Sequence, residues 1–246
     1  MERIRTNPAH RLHTFFKSLF KHKSIQTQDA LSVTFNVSKS DSAGLFRAFG
    51  KLLTLVDLVE KCIQLIPGEM MEAHRYCLIP IREGLGTTAM DGSWFNGKPY
   101  SFPDLAHLQI TAEKLHDVVP EDEIAVEEFD QIRPQLEELR TEIGNAEIDP
   151  KFKAALLAVL SRLIDVINDY RWVGADGIKR ATAEAFGQCV VERDGFFAAK
   201  NAGEPWVEKY WTVVSRLADL AQLATAGQLI GLGGADALDR LLLGPK

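Results

Sequence analysis

The residues of this chain whose types and spacing could do chemistry fall into a few clusters. Gly92-Ser93-Trp94-Phe95-Asn96-Gly97-Lys98 fills the first seven positions of a phosphate-cradling loop, but Pro99 stands where a hydroxyl should meet magnesium, and proline also removes a backbone donor. The same stretch carries the Asn-Gly dipeptide of a tight hairpin, which is the reading adopted. Gly84-Leu85-Gly86 lacks the third glycine and the flanking strand and helix of a dinucleotide site. Glu69, Glu72, His74 and Cys77 lie close together, and a helix would make His74 and Cys77 neighbours. Their spacing is not that of an H-E-x-x-H metal helix, and a thiol beside a histidine on an apolar helix is expected to be packed rather than reactive. His107 and His116, nine residues apart, are expected to project from the surface of one helix. No Ser, His and acid set can be assembled from spacing, because such triads are spatial. No catalytic, cofactor-binding or metal-ligating residue is therefore assigned, and no cofactor is expected.

Arg5-Thr6-Asn7-Pro8-Ala9-His10 resembles the arginine, four residues, histidine pattern of the HEPN ribonucleases, an all-helical family in which that pair serves RNA cleavage. The resemblance covers these six residues. It implies that Arg5 and His10 lie on one helix lining a cleft, whereas here Pro8 falls inside the motif, close to the start of the chain. RNA cleavage that depends on Arg5 and His10 is accordingly not expected, since a positioned acid–base pair needs fixed geometry.

The elements must therefore be read for what they could position. The 246 residues are 46% hydrophobic and 25% charged, with a formal net charge of -6, which suits an ordinary globular protein and disfavours nucleic acid as the main partner. Three scattered cysteines, Cys62, Cys77 and Cys189, in apolar surroundings read as free thiols in a reducing compartment. No secretory signal pattern is evident, so the cytoplasm is the expected location. Charge is uneven. Basic residues crowd the first 23 positions, including Arg5, Arg11, Lys17 and Lys21, whereas acids such as Glu113, Asp117, Glu121, Glu128, Glu138 and Glu142 crowd 111–150. Each is expected to be a solvated face, with attraction between the two as the functional alternative.

Hydrophobic periodicity predicts a mainly α chain: a multi-helix bundle with a minor β element, divided into an N-terminal helical region with the β element over 1–103 and a C-terminal helical bundle over 104–246, with one continuous domain as the alternative. Asn7 and Pro8 open a basic amphipathic helix with Leu12, Phe15, Phe16, Leu19 and Phe20 on one stripe. Residues 31–37 alternate Leu31, Val33, Phe35 and Val37 with polar residues, which predicts a strand, and a hairpin is expected near 93–102. A long helix from Ser40 or Ser42 to about Ile66 is expected to bury Phe46, Phe49, Leu52, Leu53, Val56, Val59, Ile63 and Ile66 on one side. Residues 123–143 keep helical spacing through Pro134, predicting a kinked helix or two abutting ones. Asp149-Pro150 opens the strongest helix, with Leu156, Leu160, Leu163 and Ile167 on its stripe; together with Phe186, Trp206, Tyr210 and Leu217 these are the expected bundle core.

The final segment, Trp206 to Leu243, carries no charge from Leu220 to Ala235. A helix so apolar must be buried in its own core, a partner or a membrane. A non-enzymatic protein acting by protein–protein association or homo-oligomerisation through this C-terminal apolar helix is the expectation. A helical hydrolase or RNA-cleaving nuclease is one alternative. A membrane-directed effector is the other, weakened by Asp219 and Asp236 at the ends of the segment.

Overall fold

A computed structural model describes residues 5–22, 26–68, 70–86 and 102–224 and is mainly α-helical. Its contacts divide the chain into two units, residues 4–121 and residues 122–246 with 1–3.

In the first unit a short strand, β1 (Arg5–Thr6), leads into α1 (Pro8–Phe20). Asn7 caps α1 by accepting from His10 N at 3.0 Å, and Pro8 fills the first helical position, where no donor is needed. The stripe Leu12, Phe15, Phe16, Leu19 and Phe20 is buried, as its spacing requires. There follow α2 (Thr27–Phe35), α3 (Ser42–Ile63), α4 (Met70–Tyr76), α5 (Leu78–Gly86) and α6 (Phe102–Val118). The strand β2 (Glu121–Asp122), at the division between the units, pairs with β1.

Residues 31–37 are not the strand their alternation suggests. Leu31 and Phe35 are buried, but Val33 between them is 61% exposed, so the burial follows the helical i, i+4 spacing. The helix ends where Asn36 turns left-handed at φ 55° and Val37 N returns to Ser32 O at 3.0 Å. The expected hairpin near 93–102 lies outside the described residues up to 101, and Phe102 opens α6. Leu105, Leu108, Ala112 and Leu115 are buried on α6, which groups with the first unit. α3 buries Leu52, Val56, Val59 and Ile63 of its expected stripe, with Leu45, Ala48 and Leu55 beside them, while Phe46 and Leu53 are exposed and Phe49 is half-buried.

The second unit holds α7 (Val126–Asn145), α8 (Pro150–Asn168), α9 (Tyr170–Val191), α10 (Arg193–Asn201) and α11 (Trp206–Ala224). Pro134 is accommodated inside one continuous α7; it lies on the exposed side, where water can take the carbonyl it leaves unbonded. Asp149 caps α8 through Lys151 N and Phe152 N, both at 3.0 Å. α9 contains a break at Gly174, whose φ of 63° suits glycine. Leu156, Leu160, Leu163, Ile167, Trp206, Tyr210 and Leu217 are buried together, and Phe186 lies half-buried, stacked on Trp211 at 5.8 Å. The expected apolar C-terminal contact is divided by this arrangement. α11 is spent as bundle core through Ala224, and the stretch from Thr225 onward lies outside the described residues. The acidic face of α7 meets cations of α11: Lys209 binds Glu138 at 2.9 Å and also Glu142, and Arg216 binds Glu128 at 3.1 Å.

Candidate functional site

Several titratable side chains of the first unit line one groove, of about 900 Å³, between α1 and α6. Asn7 also lines it and ties its two helices together: besides capping α1, its Nδ2 donates to Ala112 O of α6 at 2.7 Å. One wall is the polar side of α1, where His10, His13, Lys17 and Lys21 recur every three or four residues. The opposite side of α1 carries the buried phenylalanines, so this ladder lies on the outward side, at the groove. The other wall is the α6 row Gln109, Glu113, His116 and Asp117, again at helical spacing.

Three of the six histidines thus line a single groove. Partial burial pushes the His13 imidazole below its ordinary range, with His10 and Lys17 adding to the effect, so His13 is neutral near pH 7 and offers a lone pair. Glu113 accepts from Gln109 Nε2 at 3.3 Å, and Asp117 pairs with Lys114 at 3.4 Å. Lys17 and Lys21 are exposed along the α1 wall. The groove can offer ammonium donors on one side, carboxylate acceptors on the other, and imidazoles on both. Among the described residues, no group of three or more His, Cys, Asp or Glu side chains is placed to hold a metal ion.

The candidates singled out by spacing are dispersed. Arg5 belongs to β1 and His10 to the first turn of α1, with the capping Asn7 between them, so the pair does not share a helix face. Gly84-Leu85-Gly86 is helical, within α5, and forms no phosphate turn. Gly92 to Lys98, and Glu69, fall outside the described residues. Glu72 is exposed and binds Arg75 at 3.3 Å.

His74 and Cys77 are neighbours, as expected, but they face inward. Cys77 Sγ donates to His74 O at 3.0 Å. The Thr111 hydroxyl donates to His107 O at 2.9 Å, so toward His74 it can only accept, and the 2.9 Å contact fixes His74 with its proton on Nδ1. His74 Nε2 is then a buried acceptor without a partner. Burial first, then His107 and Lys114, pushes the His74 imidazole below its ordinary value. His107 and His116 do not share a surface: His107 stands with its ring 6.0 Å from that of His74, whereas His116 lines the groove.

No family model, curated protein or solved structure matches this chain. The groove is therefore the ground on which a function can be argued. Spacing passed over His13, Lys17, Lys21, Glu113 and Asp117, because a polar helix side reads as solvated surface. The signal that could have found them is the matching three- and four-residue recurrence of titratable side chains on α1 and α6.

Attraction between the basic and acidic stretches, the alternative to two solvated faces, has a buried instance among the described residues of this unit. Arg11 Nη1 binds Glu121 Oε2 at 2.7 Å, with side chains only 8% and 4% exposed.

Proposed function

We propose that this protein works by association, and that the α1/α6 groove is the contact, taking an extended polypeptide segment that carries carboxylates. The observation that supports this reading is the ladder His10, His13, Lys17, Lys21 along α1, a 13-residue helix about 20 Å long. Carboxylates of a bound segment would meet the two ammonium groups, and its backbone N–H groups would meet Glu113 and Asp117 on the facing wall. Cytoplasmic residence accords with the three buried free cysteines.

The convergence of His10, His13 and His116 favours a second reading, metal-independent RNA cleavage, in which one imidazole accepts a proton and another donates it. Fluorescence anisotropy with a labelled Asp/Glu-rich peptide, beside a gel assay on single-stranded RNA, separates the two. Peptide binding that weakens with salt and disappears in Lys17→Glu/Lys21→Glu, with RNA left intact, is the expected result. RNA cleavage abolished by His116→Ala would replace the first reading by the second, and absence of both activities would remove the groove as a site.

The apolar stretch from Thr225 onward is retained as a further association surface, with membrane direction as its rival. Truncation after Thr225, read by light scattering and liposome flotation, tests both. Among the described residues, no helix is long and apolar enough to cross a membrane.

A further inference from the structure

The outward side of α3 carries apolar area that the fold leaves to solvent. Phe46 is 63% and Leu53 40% exposed, Phe49 is half-buried at the edge of the same side, and Gly50 stands between them. These residues recur at i, i+3, i+4 and i+7, so they form one stripe, turned away from the buried side of Leu45, Leu52 and Val56. Isolated exposed apolar residues are ordinary, but a contiguous stripe with two phenylalanines marks a contact.

We propose that this face joins two copies of the chain, α3 against α3, antiparallel about a two-fold axis at Gly50. Self-complementarity identifies the occupant. Phe46 lies four residues before Gly50 and Leu53 three after it, so a two-fold axis there sets Phe46 of each copy against Leu53 of the other. No atom lies within 4 Å of the position a Cβ at Gly50 would take, so the two backbones can approach at that point without displacing a side chain. Charge selects the orientation. The Arg47 side chain is largely exposed, with its nearest carboxylate, Asp41, at 4.0 Å. Asp57 binds Arg82 at 2.7 Å through Oδ1, and its side chain is 61% exposed. Antiparallel pairing brings Arg47 of one copy within side-chain reach of Asp57 of the other, whereas parallel pairing would set Arg47 beside Arg47. A single helix pair buries less than the roughly 1,200 Å² of a standard stable interface, so the dimer dissociates on dilution.

Sedimentation velocity of the full chain over a concentration series tests this. The expected result is a dimer fraction that rises with concentration in the natural chain, and a dissociation constant raised at least about tenfold in Phe46→Asp, a 1.4 kcal/mol change. Gly50→Cys supplies a geometric readout. Two-fold symmetry places the new thiols on Cα atoms within about 7 Å, so mild oxidation should link the copies covalently. Gly144→Cys, on α7 with equally open surroundings, should not link, and the natural cysteines are buried and do not compete. A natural chain that stays monomeric, a dimer that persists in Phe46→Asp, or cross-linking no stronger at position 50 than at 144 would each overturn the proposal. If Phe46→Asp lowers the far-UV helical signal, the comparison of positions 50 and 144 decides alone.

Discussion

Single buried polar atoms set how this protein meets acid. His74 spends its Nδ1 proton on Thr111 and keeps an unpaired lone pair on Nε2, and a second proton there would be a buried charge with His107 and Lys114 nearby. The folded chain therefore holds that proton less well than the unfolded chain, whose histidine titrates near 6.5. A depressed histidine contributes stability that is full above the unfolded value and is lost as pH falls below it, because only the unfolded state then gains the proton. Thermal melts at about pH 7.5 and about pH 5.5 should show the natural chain weakening, and His74→Asn, which keeps a donor for Thr111 but cannot titrate, weakening less. An equal slope in both would show that His74 does not carry the effect. Arg11 presents the opposite case, a cation kept buried by one carboxylate. Its Nε and Nη2 have no partner, so Glu121 carries its compensation, and Glu121→Ala should cost about 3–5 kcal/mol in denaturant unfolding. Replacing both residues together by apolar ones should cost far less, because no uncompensated charge remains.

At the scale of elements, what was legible in the sequence depended on whether one pattern had one reading. α1 and α8 were plain, since Asn7-Pro8 and Asp149-Pro150 give capped starts and the stripes behind them fit only a helix. The stretch 31–37 was ambiguous: Leu31 and Phe35 satisfy period 2 and i, i+4 equally, and only the exposure of Val33 separates the two. α3 reads as a helix and most of its stripe is buried, but it has more apolar residues than one buried side can hold, and the surplus, Phe46 and Leu53, lies outward. The groove was hidden for another reason. His10 and His116 are brought together by α1 packing on α6, a tertiary event that leaves no mark in local spacing. The clearest stripe also gives the clearest stability prediction. Leu160, wholly buried in α8 among the core of the second unit, should cost about 2–5 kcal/mol when replaced by alanine. A loss below about 0.5 kcal/mol in equilibrium denaturation would place that side of α8 outside the core.

For the whole molecule, the two units differ in how their cores are gathered along the chain. The core of the second runs from Ile124 to Ala224 without a residue from the first, so residues 122–246 expressed alone should be helical and unfold cooperatively by circular dichroism. A fragment that melts without a transition would show that this core needs the rest of the chain. Its helices pack on sequence neighbours, α7 on α8 and α8 on α9, and α11 returns to α9 and α7. In the first unit the chief partner of α1 is α6, and Asn7 bonds to Ala112, 105 residues apart. As the chain leaves the ribosome, α1 is therefore made well before its packing is complete. Phe15 can stack on Phe35 of α2, at 5.2 Å, as soon as that helix has emerged, but the side of α1 that packs on α6 must wait until the intervening chain has been made. Through that interval a chaperone acting on the nascent chain would find its target on the uncovered side of α1.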